Sequence, residues 1–192
     1  MSKNTFWVTM IFVAAIVGAF LGPALAQSLS TGAMLTFSIV TLVAIVGLIV
    51  WSLSSNKSGK KADAAALADA RAMRAPEGKA RIYVTRRGFV AALQGMNVTL
   101  DETARGQIKS GQMLMADVEP GTHRLHAAMA KGIMANAGAM EIAVAAGEVA
   151  VIDAMFEMSA LKGDAKLTRL DGAKARENVE ATKLILWEVA PA

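Results

Sequence analysis

The residue types that most often carry chemistry are scarce in this chain. It has two histidines, His123 and His126, and no cysteine, which excludes disulfides, thiolate nucleophiles and Cys-ligated zinc or iron–sulfur sites. The histidines are three positions apart, so in a β-strand they point to opposite faces and cannot jointly bind one metal ion. We expect no metal site, and we expect His123, on the face of Leu125, to be a partly buried, hydrogen-bonded ring.

Two acids, Asp153 and Glu157, have a spacing that would place them on one face of a strand. A pair of carboxylates could act as in a glycosidase. Alternatively, Asp153 faces solvent or meets a base near the end of its strand. The sequence has no P-loop, G-x-S-x-G turn, H-E-x-x-H helix or G-x-G-x-x-G turn. We therefore predict no catalytic residue and no cofactor.

A candidate interaction surface consists of Met113, Met115 and Arg124. Filling of the core is the default role for both methionines, and a soft interaction surface is the other interpretation, because methionine adapts to loosely specific surfaces. The net charge is +4, and Arg81, Arg86 and Arg87 could form a basic patch. Because no aromatic residues alternate with these bases, we expect no binding of nucleic acid.

Period-two alternation of apolar residues marks the part of the chain that would position these groups. It predicts strands near residues 80–85, 97–101, 114–118, 125–129, 140–144 and 149–158. Several short strands separated by turns are typical of a sandwich. We predict a small, soluble, antiparallel β-sandwich-like domain over residues 79–192, with a short C-terminal helix within residues 172–183.

Residues 80–156 resemble a family of small bacterial domains of unknown function, number 2846. The resemblance is carried by ARIYVTRR, NVTLD, DVEPGTHRLHAAM and AAGEVAVIDA, which match the I-Y-x-x-R strand, the V-x-P-G-x-H turn and the a-G-x-x-y strand of that family. It implies a β-rich domain, often one that follows a lipoprotein signal. No catalytic residue is implied by the family.

The N-terminal part of the chain has the composition of a membrane anchor. Up to Leu53 the only charged side chain is Lys3, and the apolar segments 6–26 and 33–53 are each long enough to cross a hydrocarbon core of about 30 Å. Over the whole chain, 54% of residues are hydrophobic and the mean hydropathy is +0.41. We predict a transmembrane α-helical hairpin over residues 1–53.

The first apolar segment has two further interpretations. The sequence ALA before Gln27 resembles a signal-peptide cleavage site, so residues 1–26 could instead be removed. If they are retained, a stripe of small residues predicts close helix packing, either on the second helix or on another membrane subunit. This stripe comprises Ala15, Gly18, Ala19 and Gly22.

A polar, Ala-rich and partly helical linker is predicted over residues 54–78. Its bases would lie against anionic headgroups and would keep the C-terminal domain on the cytoplasmic side of a bacterial inner membrane. These membrane-surface residues are Lys57, Lys60, Lys61, Arg71 and Arg74.

Three classes of function remain open at this stage. We favour a membrane-anchored, non-enzymatic β-domain that acts as a scaffold or accessory subunit, with the lipid bilayer and a membrane protein or a second copy of the chain as partners. The alternative is a membrane-tethered module that binds a sugar, lipid or peptide, for which a concave apolar pocket would be evidence. A hydrolase would need convergent polar groups that spacing alone does not reveal.

Overall fold

The chain forms two units, residues 1–54 and residues 55–192. The computed structural model describes residues 30–54, 56–57, 59–131, 135–158 and 162–190. In the first unit, residues Thr31–Leu53 form helix α1. Ser30 precedes it, and its hydroxyl accepts a hydrogen bond from the amide of Ala33 at 3.3 Å, which satisfies one of the free N–H groups at the start of the helix.

The prediction of a transmembrane helical hairpin is wrong. A hairpin needs two paired helices that each cross the bilayer, and the first predicted segment, residues 6–26, lies outside the described residues. None of the helices in the described part of the chain combines the length and the apolar character that crossing a membrane requires.

The second unit is a mostly β domain, which confirms the prediction of a β-rich domain. Its helices in the described residues are α2 (Ala64–Ala72) and α3 (Gly172–Ala181). Its strands are β1 (Ala80–Arg86), β2 (Met96–Leu100), β3 (Ala104–Ile108), β4 (Gln112–Val118), β5 (Gly121–Met129), β6 (Ala135–Asn136), β7 (Gly138–Val144), β8 (Val149–Met158), β9 (Gly163–Leu170) and β10 (Lys183–Leu184).

The strands make two sheets. The larger has the order β10-β4-β1-β8-β9-β6 and the smaller has the order β3-β2-β5-β7. The smaller sheet is antiparallel throughout, but in the larger sheet β1 pairs with β8 in parallel, as do β10 with β4 and β6 with β9. The prediction of an antiparallel sandwich is therefore wrong for the larger sheet, because pairing between distant strands leaves no mark in local alternation.

Apolar side chains fill two separate layers, one on each face of the larger sheet. Between the sheets, Ile82 and Val84 of β1 pack with residues such as Leu100 and Leu125 of the smaller sheet. On the opposite face, Tyr83 packs beneath the two helices. Every residue of β1 is consequently buried, and β1 is the central strand of the domain.

The helices are fixed over the larger sheet by polar contacts as well as by packing. Asp63 caps α2 by accepting a hydrogen bond from the amide of Ala66 at 2.7 Å. The Tyr83 hydroxyl donates to the carbonyl of Ala70 at 2.7 Å. Arg81 binds both carboxylate oxygens of Asp117 and also pairs with Asp69 on α2, at 2.8 Å. These contacts tie α2 to the sheet.

Candidate functional site

The loop that joins β1 to β2 exposes large apolar side chains at one end of the sandwich. Phe89 is 93% exposed and Leu93 is 74% exposed, and Val90 between them is also exposed. A single exposed apolar residue is ordinary, but several in one short loop make that loop a candidate binding surface. We call residues 88–95 the apolar loop.

A buried arginine holds this loop from below. The side chain of Arg86, at the end of β1, is completely buried. Its guanidinium donates to the carbonyl of Gln94 at 2.7 Å, to that of Ala91 at 2.8 Å and to that of Ile108 at 3.3 Å. The charge therefore faces three backbone dipoles, two of which belong to the apolar loop.

The electrostatic setting of Arg86 is unusual for a buried cation. Burial lowers the pKa of Arg86 from its ordinary value. Among the described residues no carboxylate forms an ion pair with it, and its Nε has no hydrogen-bond partner there. Buried charges in proteins are usually paired, so the three carbonyls must compensate for the lost hydration. The bonds to Gln94 and Ala91 connect the buried cation directly to the apolar loop.

Asn56 holds the other side of the loop. Its side-chain amide donates to the carbonyl of Leu93, and its side-chain oxygen accepts from the amide of Gly95, both at 2.6 Å. The backbone amide of Ser110 donates to the carbonyl of Ala92 at 3.3 Å. The backbone of the loop is thus bonded to surrounding segments, and its apolar side chains are exposed because the backbone directs them outward.

Asp153 and Glu157, the carboxylates considered for acid–base chemistry, have different partners. Burial raises the pKa of Asp153, whose carboxylate accepts from the Thr85 hydroxyl at 3.4 Å. Glu157 forms an ion pair with Lys166 at 2.8 Å. Four residues of extended strand separate them by about 13 Å between Cα atoms. The structure does not bring the two carboxylates together.

His123 is a hydrogen-bonded, partly buried ring, as predicted. Its Nδ1 lies 2.6 Å from Asp101 Oδ2, and its Nε2 lies 2.8 Å from the carbonyl oxygen of Glu119. A carbonyl only accepts and an ionised carboxylate only accepts, so both contacts are satisfied by the doubly protonated ring. Burial alone would lower the pKa of His123, but the bonds to Asp101 and Glu119 outweigh it and raise the pKa. This arrangement joins two turns and is structural.

The three arginines of the predicted basic patch do not share one surface. Arg81 and Arg86 are buried, and only Arg87 is exposed, where it pairs with Glu177 of α3 at 2.8 Å. Burial on both faces of β1 accounts for this outcome.

The predicted membrane-surface residues lie at several places. All five are exposed: Lys57, Lys60, Lys61, Arg71 and Arg74. Lys57 forms an ion pair with Glu188 at 2.6 Å. The backbone of Lys61 forms an antiparallel β-bridge with Ile185, next to β10. The side chain of Arg71, on α2, donates to the carbonyl of Glu180. These contacts attach part of the predicted linker to the domain.

The residues of the candidate interaction surface are not brought together. Met113 is fully buried beneath the helices and Met115 is half-buried beside it, whereas Arg124 is exposed on the smaller sheet. The helix-packing residues Ala15, Gly18, Ala19 and Gly22 lie outside the described residues.

Sequence reasoning missed Asn56, Phe89 and Leu93, and it assigned Arg86 to a basic patch rather than to the support of the apolar loop. A signal was present in GFVAALQG, an apolar run between two glycines directly after two arginines. The run does not alternate, and glycines at both ends are typical of a loop. Its apolar residues could therefore have been recognised as exposed.

No family model matches this chain, and no curated protein is significantly similar to it. The resemblance of residues 80–156 to family 2846 stays a prediction.

Proposed function

We propose that this protein is a membrane-associated, non-enzymatic β-domain that acts as a scaffold or accessory subunit of a membrane protein assembly. The bilayer of the bacterial inner membrane and a membrane protein are its partners. The observation that carries the proposal is the apolar surface of α1.

Helix α1 exposes apolar side chains around its circumference. Leu35 is 61% exposed and Val43 is 64% exposed, and the same holds for most large side chains of the helix that the structure describes. A helix that is apolar on all sides needs an apolar surrounding, because exposure of each such side chain to water costs roughly 1.5–3 kcal/mol. Lipid is an abundant surrounding of this kind, and a second helix of a membrane protein is another.

The polar groups of the β domain support a role in binding rather than in catalysis. His123, Arg81 and Asp153 would be the first candidates for chemistry, and each is engaged with other groups of the domain. Their contacts fix turns, a helix and a strand. A domain that uses its polar side chains in this way offers surfaces to a partner.

We further propose that the β domain lies on the cytoplasmic side. Lys57, Lys60 and Lys61 follow α1 within eight positions of Leu53 and are exposed. Bases close to an apolar segment favour the cytoplasmic face of the membrane, where anionic lipids attract them.

The proposal is tested by fractionation of cells that express the full chain with a C-terminal tag. We expect the protein in the membrane fraction after washes with high salt, release only by detergent, and a tag that external protease cannot reach in intact cells. Purification in mild detergent should recover a membrane protein in a fixed ratio. Recovery in the supernatant without detergent would refute membrane association, and recovery of the chain alone as a monomer would refute the accessory role.

A further inference from the structure

We propose that the end of the β domain that carries the apolar loop docks on the surface of an anionic lipid bilayer, with Phe89 and Leu93 inserted among the headgroups. This inference rests on the proposed function and names the orientation of the domain on its membrane. It is carried by the distribution of charge between the two ends of the sandwich, by the apolar loop, and by the point where the chain enters the domain.

The strand register defines which connections share an end with the apolar loop. Arg86 pairs with Gln112, and Met96 pairs with both Ile108 and Met129. The connections β3–β4 and β5–β6 are therefore at the loop end. Since β8 runs parallel to β1, the connection β8–β9 is there as well.

In the described residues, the connections at the loop end carry bases and no acid. These residues are 87–95, 109–111, 130–131 and 162, and each stretch contains one base. These bases are Arg87, Lys109, Lys131 and Lys162. A set of cations at one end attracts anionic headgroups, and the attraction falls off within a Debye length of the surface.

The opposite end of the domain is acidic. Its connections are residues 73–79, 101–103, 119–120, 145–148 and the single residue 171. They contain six acids and two bases, Arg74 and Lys79. The acids are Glu77, Asp101, Glu102, Glu119, Glu148 and Asp171. A domain with this asymmetry is oriented by a negatively charged surface, which attracts the loop end and repels the other.

The apolar loop supplies side chains that can insert into the membrane interface, which electrostatic attraction alone does not provide. Phe89 and Leu93 project from a backbone that Arg86 and Asn56 hold in place, so insertion needs little further ordering of the chain. Met155 extends the apolar surface, since its sulfur lies 3.9 Å from the position a Cβ of Gly88 would take. Apolar side chains beside cations are the composition of a segment that lies in a membrane interface.

The chain also enters the domain at this end. Asn56, which binds the apolar loop directly, follows Leu53 of α1 by only three positions in the sequence. The point where the chain enters the domain is therefore at the same end as the apolar loop and the four bases. We accordingly assign lipid, rather than a protein partner, as the occupant of the apolar loop.

Single-cysteine labelling tests the orientation, because the natural chain has no cysteine. The variants Phe89→Cys and Leu93→Cys place a polarity-sensitive fluorophore in the loop, and Ala146→Cys places it in an exposed turn at the acidic end as the matched control. Each full-length protein is reconstituted in vesicles of phosphatidylcholine and phosphatidylglycerol, with and without brominated acyl chains. Flotation of the same vesicles reports membrane association separately.

We expect blue-shifted emission at positions 89 and 93 and quenching by brominated lipid at least about twofold stronger than at position 146. Omitting phosphatidylglycerol should reduce this difference. Lys109→Gln should also reduce it, whereas Lys79→Gln, which removes a base from the acidic end, should not.

Three results would overturn the inference. If the protein floats but positions 89, 93 and 146 show the same aqueous emission, the docking is refuted while the proposed function stands. Blue-shifted emission in the loop that brominated lipid does not quench would assign the surface to a protein, either a second copy or a partner. Absence of flotation would refute the proposed function and the docking together.

Discussion

Replacing Arg86 by methionine tests whether a buried cation organises the apolar loop. Methionine has a similar length and no donor, so Arg86→Met removes the three hydrogen bonds to Gln94, Ala91 and Ile108 at once. The carbonyl of Ala91 keeps one bond, from the amide of Gln94 at 3.0 Å. The carbonyl of Gln94, in a half-buried residue, and the carbonyl of Ile108, which is buried, each lose a charged donor.

Two opposing effects set the expected magnitude. Loss of a partner by a buried carbonyl costs about 1–3 kcal/mol, which for the two carbonyls gives roughly 2–6 kcal/mol. Removal of a buried charge that has no ion-pair partner offsets part of this destabilisation, because the guanidinium no longer has to be dehydrated. We expect Arg86→Met to lower the free energy of unfolding by about 2–4 kcal/mol.

Urea unfolding of the full chain in detergent, followed by the fluorescence of Trp187, measures this change. Trp187 reports on the β domain because its indole donates to the carbonyl of Met115 at 2.7 Å. Trp7 and Trp51 are replaced by phenylalanine in every protein compared, so that the signal comes from one residue. Limited digestion with chymotrypsin gives a second readout, since cleavage after Phe89 or Leu93 should become faster when the loop is released.

Arg87→Met is the matched control. It makes the same chemical change one residue further along, at an exposed arginine paired with Glu177, and exposed ion pairs contribute about 0–1 kcal/mol. Equal destabilisation by the two substitutions, or unchanged digestion of the loop in Arg86→Met, would refute the idea that Arg86 holds the loop.

Two further predictions concern other parts of the domain. The raised pKa of His123 means that the folded state holds the proton more tightly, so its stabilisation is complete below the ordinary pKa of histidine and is lost as the pH rises through the raised value. The melting temperature should fall over that range by a few degrees, and His123→Gln should remove this dependence; an unchanged profile would contradict the bond to Asp101. Gly138→Ala should destabilise the domain by about 1–3 kcal/mol in urea, because a Cβ there would collide with the backbone oxygen of Ala165. Gly88→Ala, where the nearest atom is a flexible methionine sulfur, should change stability by less than about 0.5 kcal/mol, and similar effects of the two substitutions would refute the packing argument.

Alternation in the sequence identified the strands that have one buried face and several large apolar residues. In β5 the buried positions Leu125, Ala127 and Met129 recur every second residue. By contrast, β3 and β9 carry charged or small residues, as in ARGQI and GDAKLTRL, and gave no such signal. The parallel pairing of β1 with β8 could not be predicted, because it depends on which segments meet in space.

The candidate site was hidden for a different reason. Three arginines near each other in sequence suggested one basic surface, yet alternation along β1 directs Arg81 beneath the helices and Arg86 between the sheets. Arginine is so rarely buried that exposure is the natural assumption. The loop, folded back over the end of β1, supplies two of the three carbonyls that make burial of Arg86 tolerable, and Ile108 of β3 supplies the third.

The central position of β1 has a consequence for how this protein is synthesised. Its two neighbours in the sheet are β4 and β8, and β8 begins at Val149, more than sixty residues after β1 ends. Nascent chain emerges N-terminal end first, at about 5–20 residues per second. For several seconds, therefore, a ribosome carries a central strand that is buried in the folded domain but still lacks one of its neighbours, and chaperone binding during that interval would protect it from aggregation.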